Sequence, residues 1–340
     1  MSNNRRSSKN LVLGVDIGGT KVAVGLVNSH GQVVYSNRAP MLARESADQG
    51  FRAVRDAIDK VALDPRAKNI EKIGVCVPGW VDAERGVVLS AANLPCWRNY
   101  PLARKIKNQY SLPTRLANDA NAAALAEARW GAARGYESSF YVTLGTGIGT
   151  AFILRGEIYD GRSGAAGEGG HMTINFRGPL CGCGKRGCIE MYASGTAIAK
   201  RARNLLRQGT AKRSLILKMA ESKISGITGE AVSKAAQKGD RLAKKILEEA
   251  ADYLGTWLTN IVDLLEPEAI IFGGGMGRVM MSLCSRVQKN LVPPSIQVKR
   301  RGVPIINAHY GSESALVGAA AQWFPPSKPI AVRPPRLSGS

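Results

Sequence analysis

The sequence predicts an α/β fold made of two related domains, and three observations carry that prediction. The chain of 340 residues, 44% hydrophobic and 21% charged, is long enough for about two ordinary domains with their own cores. Apolar runs of strand length alternate with stretches whose apolar residues recur every three or four positions, the mark of sheets covered by helices. One order of elements also occurs twice: strand, glycine-rich turn, strand, glycine-containing turn, strand.

The first occurrence starts with Leu11–Asp16, an apolar run entering the turn Ile17-Gly-Gly-Thr-Lys21. It continues through Val22–Val27 and Gln32–Ser36, which flank the hairpin turn Asn28-Ser-His-Gly31. The second starts with Ser139–Leu144 and passes through Gly145-Thr-Gly-Ile-Gly149 to Thr150–Leu154 and Glu157–Tyr159. The two halves are thus expected to present one glycine-rich hairpin each toward a shared central cleft. Between them the pattern gives a helix over Ala47–Leu63, a buried strand over Lys72–Val77 and an Ala-rich helix over Asn121–Ala133. Further helices are expected at Gly195–Arg207, Gly229–Gln237 and Asp240–Leu265, then a strand Ala269–Phe272 leading through Gly273–Gly275 into a helix Met276–Gln288. In the long helix Leu242, Ile246, Ala250, Tyr253, Leu254, Trp257 and Ile261 form one buried face.

The expected organisation is a basic, disordered N-terminus at 1–10, a small α/β domain at 11–120 and a large α/β domain at 121–324. The C-terminal helix near 313–323 is able to return to the small domain, and a Pro-rich disordered tail follows at 325–340. No stretch reaches the roughly 18 apolar residues of a spanning helix, so no membrane role is expected. Lys and Arg outnumber Asp and Glu by 47 to 26, a balance of +21 that favours polyanionic partners such as nucleotides, nucleic acid or polyphosphate and also serves solubility.

Six cysteines without a secretory pattern argue for a reducing, cytoplasmic setting. Cys76 and Cys284, set among apolar residues, read as core thiols. Cys181, Cys183 and Cys188, with His171 shortly upstream and glycines between, fit a closed tetrahedral Cys₃His zinc site of structural type. Glu168 and Glu190 flank it as acceptors for hydroxyl groups.

The turn Asp16-Ile-Gly18-Gly19-Thr20-Lys21 suits a phosphate, because glycines let backbone N–H groups approach an anion, Thr adds a donor, and the carboxylate at the strand end can face hydrated Mg²⁺. Gly145-Thr146-Gly147 and Gly273-Gly274-Gly275 supply two more such turns. Neither the G-x-x-x-x-G-K-[ST] loop nor a G-x-G-x-x-G spacing follows the first strand, which implies a different nucleotide fold. Asn118-Asp119-Ala-Asn121 meets a helix N-terminus, where one residue suffices as the cap. The surplus carboxylate and amide are a candidate base and orienting donors for a hydroxyl substrate.

Across these stretches, together with Ala91-Ala-Asn93-Leu-Pro95 and Trp97, the chain resembles the ROK family (repressors, open reading frames, kinases), most closely its zinc-containing glucokinase branch. The resemblance implies the two-domain actin-like ATPase (ribonuclease H-like) fold and ATP-dependent phosphorylation of the glucose 6-hydroxyl. Asp119 would be the general base, and Gly79, Asn93, Asn118, Gly147, Glu168, His171 and Glu190 would form the sugar pocket. Asp16, Gly18, Gly19, Thr20, Lys21, Gly145 and Thr146 would surround the phosphates and Mg²⁺, Gly273 to Gly275 the adenosine, and His171, Cys181, Cys183 and Cys188 the zinc.

The family commonly carries Gly where Cys96 stands and Glu-Leu-Gly-His where this chain has Glu168-Gly169-Gly170-His171, differences that bear on specificity. Alternatives are a kinase for another hexose (N-acetylmannosamine, N-acetylglucosamine, fructose, allose), one using polyphosphate, or a sugar-responsive regulator. The regulators add a helix-turn-helix domain, and only ten residues precede the first strand here. A homodimer or homotetramer, with no specific nucleic-acid partner, is the expectation.

Overall fold

The computed structural model describes residues 10–42, 46–209, 214–291 and 302–326. Most of the two ends read as disordered from the sequence, residues 1–9 and 327–340, lies outside the described residues. The chain forms two compact units: residues 1–139, 151–167 and 308–340, and residues 140–150 and 168–307.

The first unit is built on a five-stranded sheet of β1 (Val12–Ile17), β2 (Lys21–Val27), β3 (Val33–Pro40), β4 (Ile73–Val77) and β7 (Thr114–Asn118), in the order β3-β2-β1-β4-β7. The hairpin strands run antiparallel, whereas β1, β4 and β7 are parallel, with Asp16 opposite Cys76 and Val77 opposite Asn118. Continuous apolar runs in β1 and β4 follow from burial on both faces. The helix Ala47–Ala62 covers one face. Ser46 Oγ caps it by accepting from the Gln49 N–H, and Ala53, Val54, Ala57, Ile58 and Val61 face the sheet. A small hairpin of β5 (Trp80–Asp82) and β6 (Val87–Ser90), absent from the sequence reading, lies between β4 and β7 in the chain.

The other face of this sheet carries the helix Ser314–Ala321, packed so closely that glycines are obligatory. A Cβ on Gly74 would overlap the Ala319 carbonyl, and one on Gly318 the Ala122 carbonyl. The helix Asp119–Trp130, placed in the second domain by a boundary at 120, accordingly belongs to the first unit. Almost all of that helix is buried, so its sequence shows no amphipathic period. Inside it Glu127 has no exposed surface. Its carboxylate accepts from the backbone N–H groups of Ala132 at 2.8 Å, His309 at 3.0 Å and Tyr310 at 3.0 Å.

The second sheet has the order β10-β9-β8-β11-β12, from β8 (Ser138–Leu144), β9 (Ile148–Leu154), β10 (Glu157–Ile158), β11 (Ala269–Gly273) and β12 (Ile305–Asn307). The long helix Arg241–Leu265 is capped by Asp240, whose Oδ1 accepts from the Ala243 N–H, and its buried face includes Ile246, Ala250, Leu254, Trp257 and Ile261. Tyr253, expected on that face, is 38% exposed and lies against Tyr192 with ring centroids 4.4 Å apart. The expected helix Met276–Gln288 is two, Gly275–Met281 and Cys284–Lys289, because the chain turns at Ser282 and Leu283, where Ser282 Oγ donates to the Val279 carbonyl. Cys76 is fully buried as expected, but Cys284 is only half-buried.

Replacing Glu127 with Ala strands three backbone donors, and the expected cost is about 3 kcal/mol, seen as a lower urea midpoint. A midpoint within error of the parent would contradict a holding role for this carboxylate.

Candidate functional site

In the first unit the parallel register brings the candidate residues to one edge. Asp16, Gly79 and Asp119 all lie at the carboxyl ends of neighbouring strands β1, β4 and β7, the edge where open α/β sheets bind ligands. Asp16 is pushed above its usual carboxylate range by burial, opposed by the Cys76 thiol, with Sγ 3.7 Å from Oδ1, and by the charges of Lys21 and Arg38. The turn after β1 is closed by the Gly18 N–H donating to the Lys21 carbonyl at 2.8 Å. A Cβ on Gly19 would come within 2.8 Å of Asn93 Cβ, so this glycine lets the turn sit against the exposed Asn93.

Asn118 is heavily committed. Its side-chain oxygen caps the helix by accepting from the N–H groups of Ala120 at 2.8 Å and Asn121 at 3.2 Å, and its amide donates to the Gly79 carbonyl at 2.9 Å. Gly79, at φ +89, adopts a left-handed conformation and lies so close to the Ser90 carbonyl that a side chain there would clash. Asp119, half-buried, is the first helical residue, and its Oδ1 also accepts from the Ala120 N–H at 2.8 Å. The cap and the tie to Gly79 thus fall to Asn118, while the adjacent Asp119 holds a carboxylate at a helix N-terminus, where the dipole favours negative charge.

In the second unit the glycine turns cluster. Gly145 closes its turn by donating to the Gly147 carbonyl at 3.0 Å, and Gly195 at the next helix start donates to the Gly145 carbonyl at 2.8 Å. Gly274, at φ +78, runs against the end of β8 at the Leu144 carbonyl. A Cβ on Gly145 or Gly275 would meet nothing within 4 Å, so the backbone there faces open space that a ligand can enter. Glu190 Oε2 accepts from the Ile148 N–H at 2.9 Å, which holds this carboxylate beside Gly147.

Glu168 is exposed and opens a single 3₁₀ turn, Gly169–His171. The Gly169 N–H donates to Thr150 Oγ1 at 2.8 Å, and Phe140 and Trp257, edge to face at 5.9 Å, occupy the space a side chain at 169 would take. That packing accounts for glycine at this position.

His171, Cys181, Cys183 and Cys188 present ligand atoms that all lie within 4.8 Å of one another. Cys181 Sγ is 3.6 Å from His171 Nδ1, and Cys183 Sγ is 3.6 Å from Cys188 Sγ. A tetrahedron with Zn–S of about 2.3 Å and Zn–N of about 2.0 Å has edges of about 3.5 to 3.8 Å, so these two separations match it and the donor set suits zinc. The enclosing loop is tied by Cys181 N–H to the Lys185 carbonyl at 2.8 Å and Ile189 N–H to the Met172 carbonyl at 3.0 Å.

Sequence reasoning missed Asp160, which accepts from Asn121 Nδ2 at 3.3 Å and is raised in pKa by burial. An aspartate in a Gly-rich loop carries no periodic signal, and only the fold brings it to Asn121.

The ROK family model matches residues 12–324. A glucokinase of Streptomyces coelicolor is 33% identical over 312 residues, covering 91% of this chain and 96% of that protein. A xylose repressor of Caldicellulosiruptor bescii is 33% identical over 264 residues, covering 77% of this chain and 65% of the repressor. The crystal structure of a ROK family glucokinase from Streptomyces griseus in complex with glucose and AMPPNP superposes with a TM-score of 0.81 at 33% identity, covering 92% of this chain and 99% of that one. Matched over that length, the chain belongs to the ROK family and has its actin-like ATPase fold.

Proposed function

We propose that this protein is a hexokinase that transfers the terminal phosphoryl group of ATP to the 6-hydroxyl of glucose, with Asp119 as general base. The observation that carries the reading is Asp119 itself. It stands half-buried at the carboxyl end of β7 as the first residue of a helix, beside Asn118, whose side chain caps that helix. As the oxygen–phosphorus bond forms, the 6-hydroxyl proton passes to the Asp119 carboxylate and the bond to the leaving ADP oxygen breaks.

Gly79, Asn93, Asn118, Gly147, Glu168, His171 and Glu190 hold the sugar in this reading. The carboxylates take hydroxyl protons as acceptors and the amides orient the ring. Gly18, Gly19, Thr20 and Lys21, with Gly145 and Thr146, hold the phosphates, and the open space at Gly275 suits close approach of the adenosine to Gly273–Gly275. Asp16, whose burial disfavours its charge, is the residue that would hold magnesium. Bound magnesium supplies neutralisation of the phosphate charge.

The Cys₃His set would hold a structural zinc, whose four protein ligands would contribute on the order of 10 kcal/mol to local folding. One ring nitrogen of His171 would bind the metal, which would leave the other to hydrogen-bond a ligand. The enzyme acts in the cytoplasm as a homodimer or homotetramer, a setting in keeping with six unpaired cysteines. No helix among the described residues is long and apolar enough to cross a membrane. A second reading, preference for another hexose, is favoured by one feature: Phe140 and Trp257 fill the space at Gly169, next to the sugar-binding Glu168.

Asp119→Asn is expected to lower kcat by about 10²-fold or more while KM for glucose stays within a few-fold, measured by coupled ADP release. Near-normal turnover would remove Asp119 from the role of base. Cys183→Ser is expected to lose most of one zinc per chain by elemental analysis and to raise KM for the sugar about tenfold. Full zinc content in that variant would contradict the ligand set.

A further inference from the structure

In the first unit a cavity of about 890 Å³ opens along β7, an outer strand of its sheet. It is within the usual size range of small-molecule sites, roughly 300–1,000 Å³. Asp119, Gly79 and Asn93 do not line it.

The walls differ in chemistry. Arg104 and Lys107 come from one face of the helix Leu102–Tyr110. Both are exposed, and among the described residues neither makes an ion pair. Arg115 joins them from β7, its guanidinium held 4.2 Å over the Trp323 ring and donating to the Gln322 carbonyl. These cations suit a phosphate dianion. On another wall Asp160 and Asn121, hydrogen-bonded to each other at 3.3 Å, offer a carboxylate and an amide of the kind that hold sugar hydroxyls. The buried Arg129 is already paired with Glu157 at 3.0 Å, and Glu84 also borders the cavity. Of the two aromatic rings on the wall, Trp323 is covered by Arg115 and Phe324 packs edge to face against Trp130.

We propose that this cavity binds a hexose phosphate, with the phosphate on Arg104, Lys107 and Arg115 and the hydroxyls on Asp160 and Asn121. Asn118 lines the same cavity while capping the helix that begins at Asp119, so occupancy bears on the segment that carries the proposed base. The site lets the product act back on the enzyme. The choice of a hexose phosphate as ligand, and this feedback, rest on the hexokinase reading.

The test is calorimetric titration of the full chain with glucose 6-phosphate, inorganic phosphate and polyphosphate, beside the double variant Arg104→Glu, Lys107→Glu and the single variant Asp160→Ala. The expected result is saturable glucose 6-phosphate binding that weakens at least tenfold in the double variant. Asp160→Ala is expected to weaken glucose 6-phosphate about fivefold or more without changing inorganic phosphate binding. Turnover of both variants without added product is expected within twofold of the parent, with inhibition by glucose 6-phosphate relieved in the double variant.

Unchanged glucose 6-phosphate binding in the double variant would overturn the proposal. So would equal binding of inorganic phosphate or polyphosphate with no effect of Asp160→Ala, which would reduce the cavity to a charged patch. A parent chain that phosphorylates no hexose would refute the hexokinase reading alone, since direct binding of the sugar phosphate is read without turnover.

Discussion

A carboxylate with no exposed surface, Glu127, joins two stretches of the first unit that are far apart in the chain. It receives N–H groups from the end of its own helix and from His309 and Tyr310, just ahead of the helix Ser314–Ala321. That C-terminal helix then seats on Gly14 and Gly74 of the sheet and, through Gly318, on the helix that starts at Asp119. The position of the proposed base is therefore set from both ends. Asn118 caps the helix at its start, and a fully satisfied buried acceptor fixes it at its close. A buried charge is tolerable only with such partners, and their presence makes this region rigid.

The two units position their candidate residues by different means. In the first, parallel strand register alone lines up Asp16, Gly79 and Asp119 at one sheet edge. In the second, the candidate residues Glu168 and His171 lie on a single 3₁₀ turn and Glu190 begins a short helix. A Cys₃His cluster with a donor set suited to zinc joins the two segments, and Glu190 accepts from the Ile148 N–H. The glycines serve a common purpose in both: at Gly19, Gly147 and Gly274 a side chain would collide with a neighbour that the site needs nearby.

Much of this was legible in the sequence because the signals are local. The glycine turns, the Cys/His spacing and the apolar runs of β1, β4 and β8 each lie within a few consecutive residues, and the structure has them as strands ending in turns. The hairpin β5–β6 was not legible, since Trp80–Asp82 is only three residues long. Nor was the attachment of the helix Asp119–Trp130 to the first unit, which depends on Gly318 meeting Ala122 across the fold. Tyr253 fits the helical period of its buried neighbours, yet it is partly exposed because its ring pairs with Tyr192 at the surface. The cavity on β7 escaped for the same reason as Asp160: its walls come from five separate stretches of chain.

Phosphoryl transfer from ATP to glucose is measured by coupled ADP release with Mg-ATP. The panel is glucose, mannose, fructose, allose, N-acetylmannosamine and N-acetylglucosamine, beside a polyphosphate reaction followed by sugar-phosphate formation. The expected result is a kcat/KM for glucose at least tenfold above every other sugar, with ATP as the better donor. A higher value for an amino sugar, or turnover with none of the sugars, would contradict it.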